Sequence, residues 1–422
     1  MNHSANVGRF RWCICGLLFF ATTVNYIDRQ VLGLLKPVLE KELHWNEEEY
    51  GWIVFAFQLA YALMMPVAGR LIDALGTRLG YMAAVVVWSI AAMGHALAAN
   101  AMQFSIARFA LGIGEAANFP AAIKTVADWF PRSERALATG IFNSGTNIGA
   151  ILAPLAVPYL AATYGWQSAF LVTGATGFIW VIVWMWLYWQ PEQHPRLSRQ
   201  ELQYIRSSDD AGEETARVSY AELLRSRGAW AFLLGKFLTD PVWWFYLYWL
   251  PGWLNRAYHL DLTQLGLPII IVYQASTVGS IGGGWIAARF LKLGWNLNRA
   301  RKTTMLIFAL TVSAVIWIPQ ASGSLWLAVA LVSMAAAGHQ GWSANLFTLS
   351  SDMFPRRMVG AVVGLGGMGG AFGGMLIAPA IGKWLDYSNN AYGPLFVISG
   401  CIYLIALLVI HLLVPDIEKT AQ

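Results

Sequence analysis

Twelve apolar stretches recur along the chain, at approximately 11–34, 51–74, 79–99, 101–126, 135–161, 166–190, 229–255, 265–291, 303–320, 324–351, 358–384 and 393–414. A helix needs roughly 20 apolar residues to cross the hydrocarbon core of a bilayer. Barrel strands alternate over about 10 residues, half the length of these runs, so helices are the reading. Composition agrees, with 57% of the 422 residues hydrophobic and 12% charged, against about 25% charged in soluble domains. A secreted enzyme, a nucleic-acid binder and a disordered scaffold are thereby excluded. Arg9 and Arg11 before the first run imitate the start of a signal peptide. The run continues past the length of such a segment without a convincing cleavage site, so it is expected to be a retained helix. Cys13, Cys15 and Cys401 are odd in number and lack metal-ligand spacing, so no disulfide framework, metal or cofactor is expected. The chain reads as an all-α polytopic membrane protein with twelve transmembrane helices.

An even number of spans puts both termini on one side, and the basic residues indicate which. Of the 28 Lys and Arg, 21 fall on the face of the termini, from Arg9, Arg11, Arg70 and Arg78 through to Arg356, Arg357 and Lys419. The opposite loops hold Lys36, Lys41, Arg256 and Lys383. The positive-inside rule then predicts cytoplasmic termini. The net charge of +5 is spread over many loops and forms no single patch.

One long hydrophilic stretch, 191–228, separates six spans from six, and mixes Asp209, Asp210, Glu213 and Glu214 with arginines. It reads as a partly helical cytoplasmic linker between two six-helix bundles, 1–190 and 229–422. An internal repeat supports that division. Asp128-Trp-Phe-Pro-Arg132 with Gly140, Gly145, Gly149 and Pro154 is echoed by Asp352-Met-Phe-Pro-Arg356 with Gly364, Gly366, Gly373 and Pro379. The offset is 224 at the aspartates and 225 at the later prolines, and Phe170–Gly174 recurs as Phe396–Gly400 at 226. Two copies of one topology predict parallel halves about an axis along the membrane normal, with a site between them at mid-depth.

Between the second and third spans, Gly69-Arg-Leu-Ile-Asp73-Ala-Leu-Gly76-Thr-Arg78 resembles the loop signature of the major facilitator superfamily. Gly69, Asp73, Gly76 and Arg78 are thus gating candidates: the glycines let helix ends approach, and the charges form a breakable network. Asn25–Arg29, Arg108–Pro120 and Thr348–Phe354 are similar to the anion:cation symporter family, and Leu75–Tyr81 with Phe237–Trp244 to its bacterial hexuronate branch. The resemblance spans essentially the whole chain. It implies a transporter of organic anions, among them sugar acids, coupled to protons or sodium, in the cell inner membrane. It implies no enzyme, and a monomer is expected.

Asp28, Glu115 and Asp240 are the carboxylates placed inside the spans, with Arg29, Arg108 and Lys236 at similar depth. A charge at the bilayer centre costs about 2.5–3.5 kcal/mol on insertion scales, which makes all six functional candidates. The alternative is mutual neutralisation in structural pairs. Adjacent Asp28 and Arg29 point about 100° apart and cannot both serve one local pair, whereas Arg108 and Glu115 share a helical face about 10 Å apart along the axis. Arginine stays charged and matches a carboxylate with its planar fork, while a buried carboxyl exchanges its proton according to its surroundings. The resemblance implies the same division of labour. Asp28 and Glu115 are the proton carriers, Arg29 the carboxylate ligand, and Arg108 a second cation that holds Glu115 in one state. Asp240 precedes Pro241, which kinks a helix, so the two are read as a gating bend. The alternatives are an Asp240–Lys236 structural pair, or Lys236 snorkelling to the surface.

Polar lining candidates are Tyr26, Gln58 and Tyr61, then Asn143, Thr146 and Asn147 on one face of the fifth span, with Asn147 preferred for hydroxyl recognition. In the tenth span His339, Gln340, Trp342, Ser343 and Asn345 are unusually polar; Trp342, His339 and Asn345 are taken as substrate-contacting, although a buried histidine is more often structural. Trp243, Trp244, Tyr246, Tyr248 and Trp249 crowd the seventh span, as an interfacial belt or as faces for sugar C–H groups. The glycines from Gly364 to Gly374 read as close helix packing. No nucleotide-binding Gly-x-x-x-x-Gly-Lys, zinc-protease or nucleophile-elbow motif is present. The function expected is import of a hexuronate such as galacturonate or glucuronate by proton symport with alternating access. An aldonate (galactonate-type) or other organic-anion symporter, an anion exchanger and a transporter-derived sensor are the alternatives.

Overall fold

In a computed structural model the protein is described over residues 8–207, 223–321, 323–354 and 356–420. The acidic part of the linker, from Asp209 through Glu214, lies outside the described residues, as does Arg217. The described chain is helical, without strands. Before the linker come α1 (Phe10–Leu43), α2 (Glu47–Leu75), α3 (Thr77–Gly94), α4 (Ala101–Glu115), α5 (Asn118–Trp129), α6 (Arg132–Tyr164) and α7 (Trp166–Leu187). A short linker helix, α8 (Arg199–Arg206), precedes α9 (Arg227–Tyr258), α10 (Gly266–Lys292), α11 (Leu297–Val312), α12 (Leu325–Met353), α13 (Arg356–Tyr387) and α14 (Gly393–Leu413). These supply twelve membrane-spanning segments, six on each side of the linker, with α4 and α5 together forming the fourth.

Among the described residues nine helices are long and apolar enough to cross a membrane on composition alone. The three spans that fall short are the fourth, the seventh and the tenth, which hold Arg108 and Glu115, Lys236 and Asp240, and His339 and Asn345 respectively. Polar groups at depth are tolerated where they turn away from lipid, and Arg108, Glu115, Lys236, His339 and Asn345 are all buried. The fourth span was expected as one run over 101–126, but the helix breaks at Ala116–Ala117. Pro120 explains the break: without an N–H it leaves the Ala116 carbonyl unbonded in a continuous helix, and its ring clashes there. Glu115 therefore sits at the last position of α4.

By packing, the chain divides into two units. One holds the residues up to Leu32 together with Ala60 through the linker; the other joins Gly33–Leu59 to the residues that follow the linker. In the first, α3 packs most extensively on α7 and α4; in the second, the largest contacts are α10 with α12 and α9 with α13. The repeat read from the sequence is a repeat of packing. Gly145 and Gly149 on α6 face the backbone of α1, where a Cβ would come within 2.5 Å of the Phe19 carbonyl and 2.6 Å of the Thr23 carbonyl. Gly369 and Gly373, 224 residues later, face Leu233 and the Phe237 carbonyl on α9 in the same way. Small residues at such crossings let helix backbones touch inside a membrane. Thr77 bonds Asp128 in the first unit, and Arg301 pairs with Asp352 at 2.7 Å in the second, again at an offset of 224.

Candidate functional site

In the first unit α1, α2 and α4 bring together Tyr26, Asp28, Arg29, Tyr61, Arg108 and Glu115. Arg29 Nε donates to Glu115 Oε2 at 2.5 Å, with side-chain exposures of 2% and 0%. The guanidinium lies 4.6 Å from the Tyr61 ring centre and 5.1 Å from that of Tyr26, within cation–π range. Glu115 is thus bonded by Arg29, 86 residues away. Arg108 is fully buried and lies in the electrostatic field of both acids. Asp28 is 2% exposed, and neither of its oxygens makes a hydrogen bond among the described residues. Its charged neighbours are Glu115 and Arg108, with the Thr173 hydroxyl also beside it. Asn147 lies two residues from both Gly145 and Gly149 on α6, about 200° around the helix from each, and so off the face those glycines turn to α1.

Chemically this is a cluster of two acids and two arginines, whose charges balance when all four are ionised. Stripping a buried ion pair of one partner costs several kcal/mol, because a charge is left uncompensated. An anion or a proton that entered here would therefore redistribute the Arg29–Glu115 contact.

The second unit gathers a separate set. His339 Nδ1 and the Tyr403 hydroxyl are 2.5 Å apart, and that hydroxyl reaches the Thr239 carbonyl at 3.3 Å. Trp243 stacks on the imidazole, and Trp342 meets Tyr403 edge-on. Asn345 uses its amide N–H groups on the Gly283 and Gly341 carbonyls, at 3.0 and 2.9 Å, which ties α10 to α12. Lys236 pairs with Asp240 one turn on, at 2.8 Å.

A profile of the Major Facilitator Superfamily matches residues 18–378. The chain belongs to this superfamily. Among its relatives, the hexuronate transporter of Escherichia coli (strain K12) is 32% identical over 408 residues, covering 95% of this chain and 93% of the relative. The galacturonate transporter of Dickeya chrysanthemi is 34% identical over 304 residues, covering 71% of this chain and 88% of the relative. The crystal structure of a D-xylose-proton symporter superposes with a TM-score of 0.75 at 16% identity, covering 98% and 100% of the two chains; at that identity the likeness is one of fold. The anion:cation symporter resemblance, nearest the hexuronate branch, stands with these relatives, and the protein is a membrane transporter, not an enzyme.

In this major facilitator protein the signature loop between α2 and α3 is fully engaged. Gly76 has φ +75°, a conformation that glycine adopts without strain, and starts α3. Asp73 pairs with Lys124 at 2.5 Å. Arg78 donates to the Met185 carbonyl at 2.6 Å, lies 3.8 Å from the Trp189 ring centre, and its own carbonyl accepts from Trp184. A cation on the last carbonyls of α7 is favourable for the helix dipole. Gly69 has no atom within 4 Å of where its Cβ would be.

A second charge network escaped the sequence reading. Lys36 is fully buried and bonds Glu47 at 2.6 Å and Glu40 at 3.1 Å. Arg256 clasps both Glu40 oxygens at 2.7 and 2.8 Å and also bonds Glu47 and Asn390. Trp249 Nε1 donates to the other Glu47 oxygen at 3.0 Å. Asp386 accepts from the Glu47 and Glu48 amides at 3.0 and 2.7 Å, while Asn46 and Glu49 cap the same helix reciprocally. The apolar run had suggested that α1 ends near residue 34; it extends through Lys36 and Pro37 to Leu43. The i,i+4 spacing of Lys36 and Glu40 was the one local sign, since Arg256 lies 209 residues from Glu47.

Proposed function

We propose that the protein imports a hexuronate such as galacturonate by proton symport with alternating access, as a monomer in the inner membrane with cytoplasmic termini. The observation that carries this reading is the buried Arg29–Glu115 contact with Asp28 beside it. The hexuronate and galacturonate relatives support the substrate class. Asp28 and Glu115 take protons; each proton removes a negative charge from a cluster that is otherwise neutral. Arg29, released from Glu115, then presents its fork to the sugar acid's carboxylate, with Arg108 as the second cation. Tyr26, Tyr61 and Asn147 supply aromatic and hydroxyl-reading surface. Trp342, His339 and Asn345 are the proposed contributions of the second unit, with Asp240–Pro241, inside the continuous α9, and the Gly69–Arg78 loop as the proposed gating elements. Substrate drives the transition only through different affinities for the two states.

The test is uptake of labelled galacturonate by proteoliposomes holding the purified protein. Accumulation above equilibrium under an inward proton gradient, collapsing when the gradient is dissipated, is the expected result. Saturable uptake indifferent to the gradient would point to exchange or facilitated diffusion. Binding without uptake would point to a sensor.

A further inference from the structure

The buried ion pair on α9 has no part in the proton chemistry above. Lys236 and Asp240 lie one helical turn apart with side-chain exposures of 8% and 18%. The Lys236 ammonium is 4.4 Å from the ring centre of Phe347 on α12. Asp240 fills the space over Gly370 of α13 so closely that a Cβ there would collide with its carboxylate. Gly366 and Gly373, on the same face of α13, admit Phe232 and Pro241 of α9. The second unit is therefore shaped around this carboxylate. The titratable groups facing the pair are His339, whose charged neighbour is Lys236, and Tyr403, whose neighbours are Asp240 and Tyr246.

Replacing a buried ion pair by apolar residues of like volume is often neutral or stabilising, so such a pair is weak evidence for stability. Its consequence for charge is definite. A lone Lys236 would give the second unit an unmatched buried cation able to hold a carboxylate; Asp240 already occupies that role. Resting on the sugar-acid reading above, we infer that Asp240 is a built-in counter-anion that masks Lys236, and so selects sugar acids with one carboxylate over those with a carboxylate at each end. Asp240 acts through Lys236 and is a specificity-determining, positioning residue. Galactarate is the informative probe, because it is galacturonate oxidised at C1 to a second carboxylate. The loss of the hemiacetal ring that goes with this is common to every variant and cancels when their ratios are compared.

The experiment measures, in proteoliposomes, the galactarate concentration that halves uptake of labelled galacturonate, relative to the KM for galacturonate in the same variant. Asp240→Asn is expected to lower that ratio tenfold or more. Lys236→Gln, which leaves Asp240 unmatched, is expected to raise it, and the double variant to return it towards the wild-type value. A ratio unchanged within about twofold in either single variant that folds would overturn the inference. Wild-type vesicles that take up no sugar acid would overturn the functional reading and this inference together. Wild-type uptake with an unchanged ratio would remove the inference alone.

Discussion

The Arg29 guanidinium and the Glu115 carboxylate meet at 2.5 Å with almost no exposure, joining the middle of α1 to the last residue of α4. On the proposed reading that contact is exclusive: Arg29 is to hold either Glu115 or a substrate carboxylate. Arg29→Lys keeps the charge but loses the planar fork. The expected outcome is a rise of at least tenfold in the KM for galacturonate with normal protein yield; an unchanged KM would remove Arg29 from the carboxylate site.

Charge arithmetic sets the electrical signature. With Asp28, Glu115, Arg29 and Arg108 all charged the cluster is neutral, and two protons taken up with one monoanion carry a net charge of one inward. Uptake is therefore expected to quicken when an inside-negative potential is imposed with valinomycin and potassium. Asp28→Asn, which leaves one titrating acid, is expected to lose that acceleration.

Asn345 ties α10 to α12 through two buried bonds to backbone carbonyls. Its replacement by Ala removes both bonds, while the two carbonyls keep their helical partners, and is expected to cost about 0.5–1.5 kcal/mol for each bond lost. A lower midpoint of thermal unfolding in detergent would show it.

Glu47 lies 2% exposed between Lys36, Arg256 and Trp249. Glu47→Gln leaves Lys36 with only Glu40, and breaking such a pair is expected to cost about 3–5 kcal/mol. The expected signs are reduced thermal stability and faster labelling of a cysteine placed at Gly252, which packs on the Lys36 side chain.

On the linker side, Glu134 accepts from Arg11 and from the Tyr204 hydroxyl, and the Arg11 bond holds its carboxyl below the ordinary value of 4.5. A depressed folded value adds stability that is present above 4.5 and lost as pH falls through the folded value. Unfolding temperature is therefore expected to drop on acidification below about 4.5, with a shallower drop in Glu134→Gln.

Run length and charge scarcity carried the fold, because a bilayer imposes one length on every span and excludes charge from most of it. That is why Asp28, Arg29, Arg108 and Glu115 could be singled out without a structure, and why the repeat at offset 224 reappears as Gly145 and Gly369 in equivalent crossings. Pairing was less legible. Same-helix spacing placed Arg108 on the face of Glu115, but it could not show that Arg29 reaches that carboxylate from another helix, a contact between residues 86 apart in the chain. The Lys36–Glu47–Arg256 network was hidden for a related reason: apolar run length ends α1 too early, since a buried lysine paired with glutamates counts against hydropathy while being out of reach of solvent.

Proton movement with substrate tests the central claim most directly. Proteoliposomes with a pH-sensitive dye inside, no proton gradient and the potential clamped at zero are mixed with external galacturonate. The expected result is a galacturonate-dependent acidification of the lumen in the wild type. It falls to about half per galacturonate in Glu115→Gln, where Asp28 is the one acid of the pair left to titrate, and disappears when both acids are replaced. Galacturonate entry with no proton movement, or an undiminished acidification in Glu115→Gln, would contradict the account.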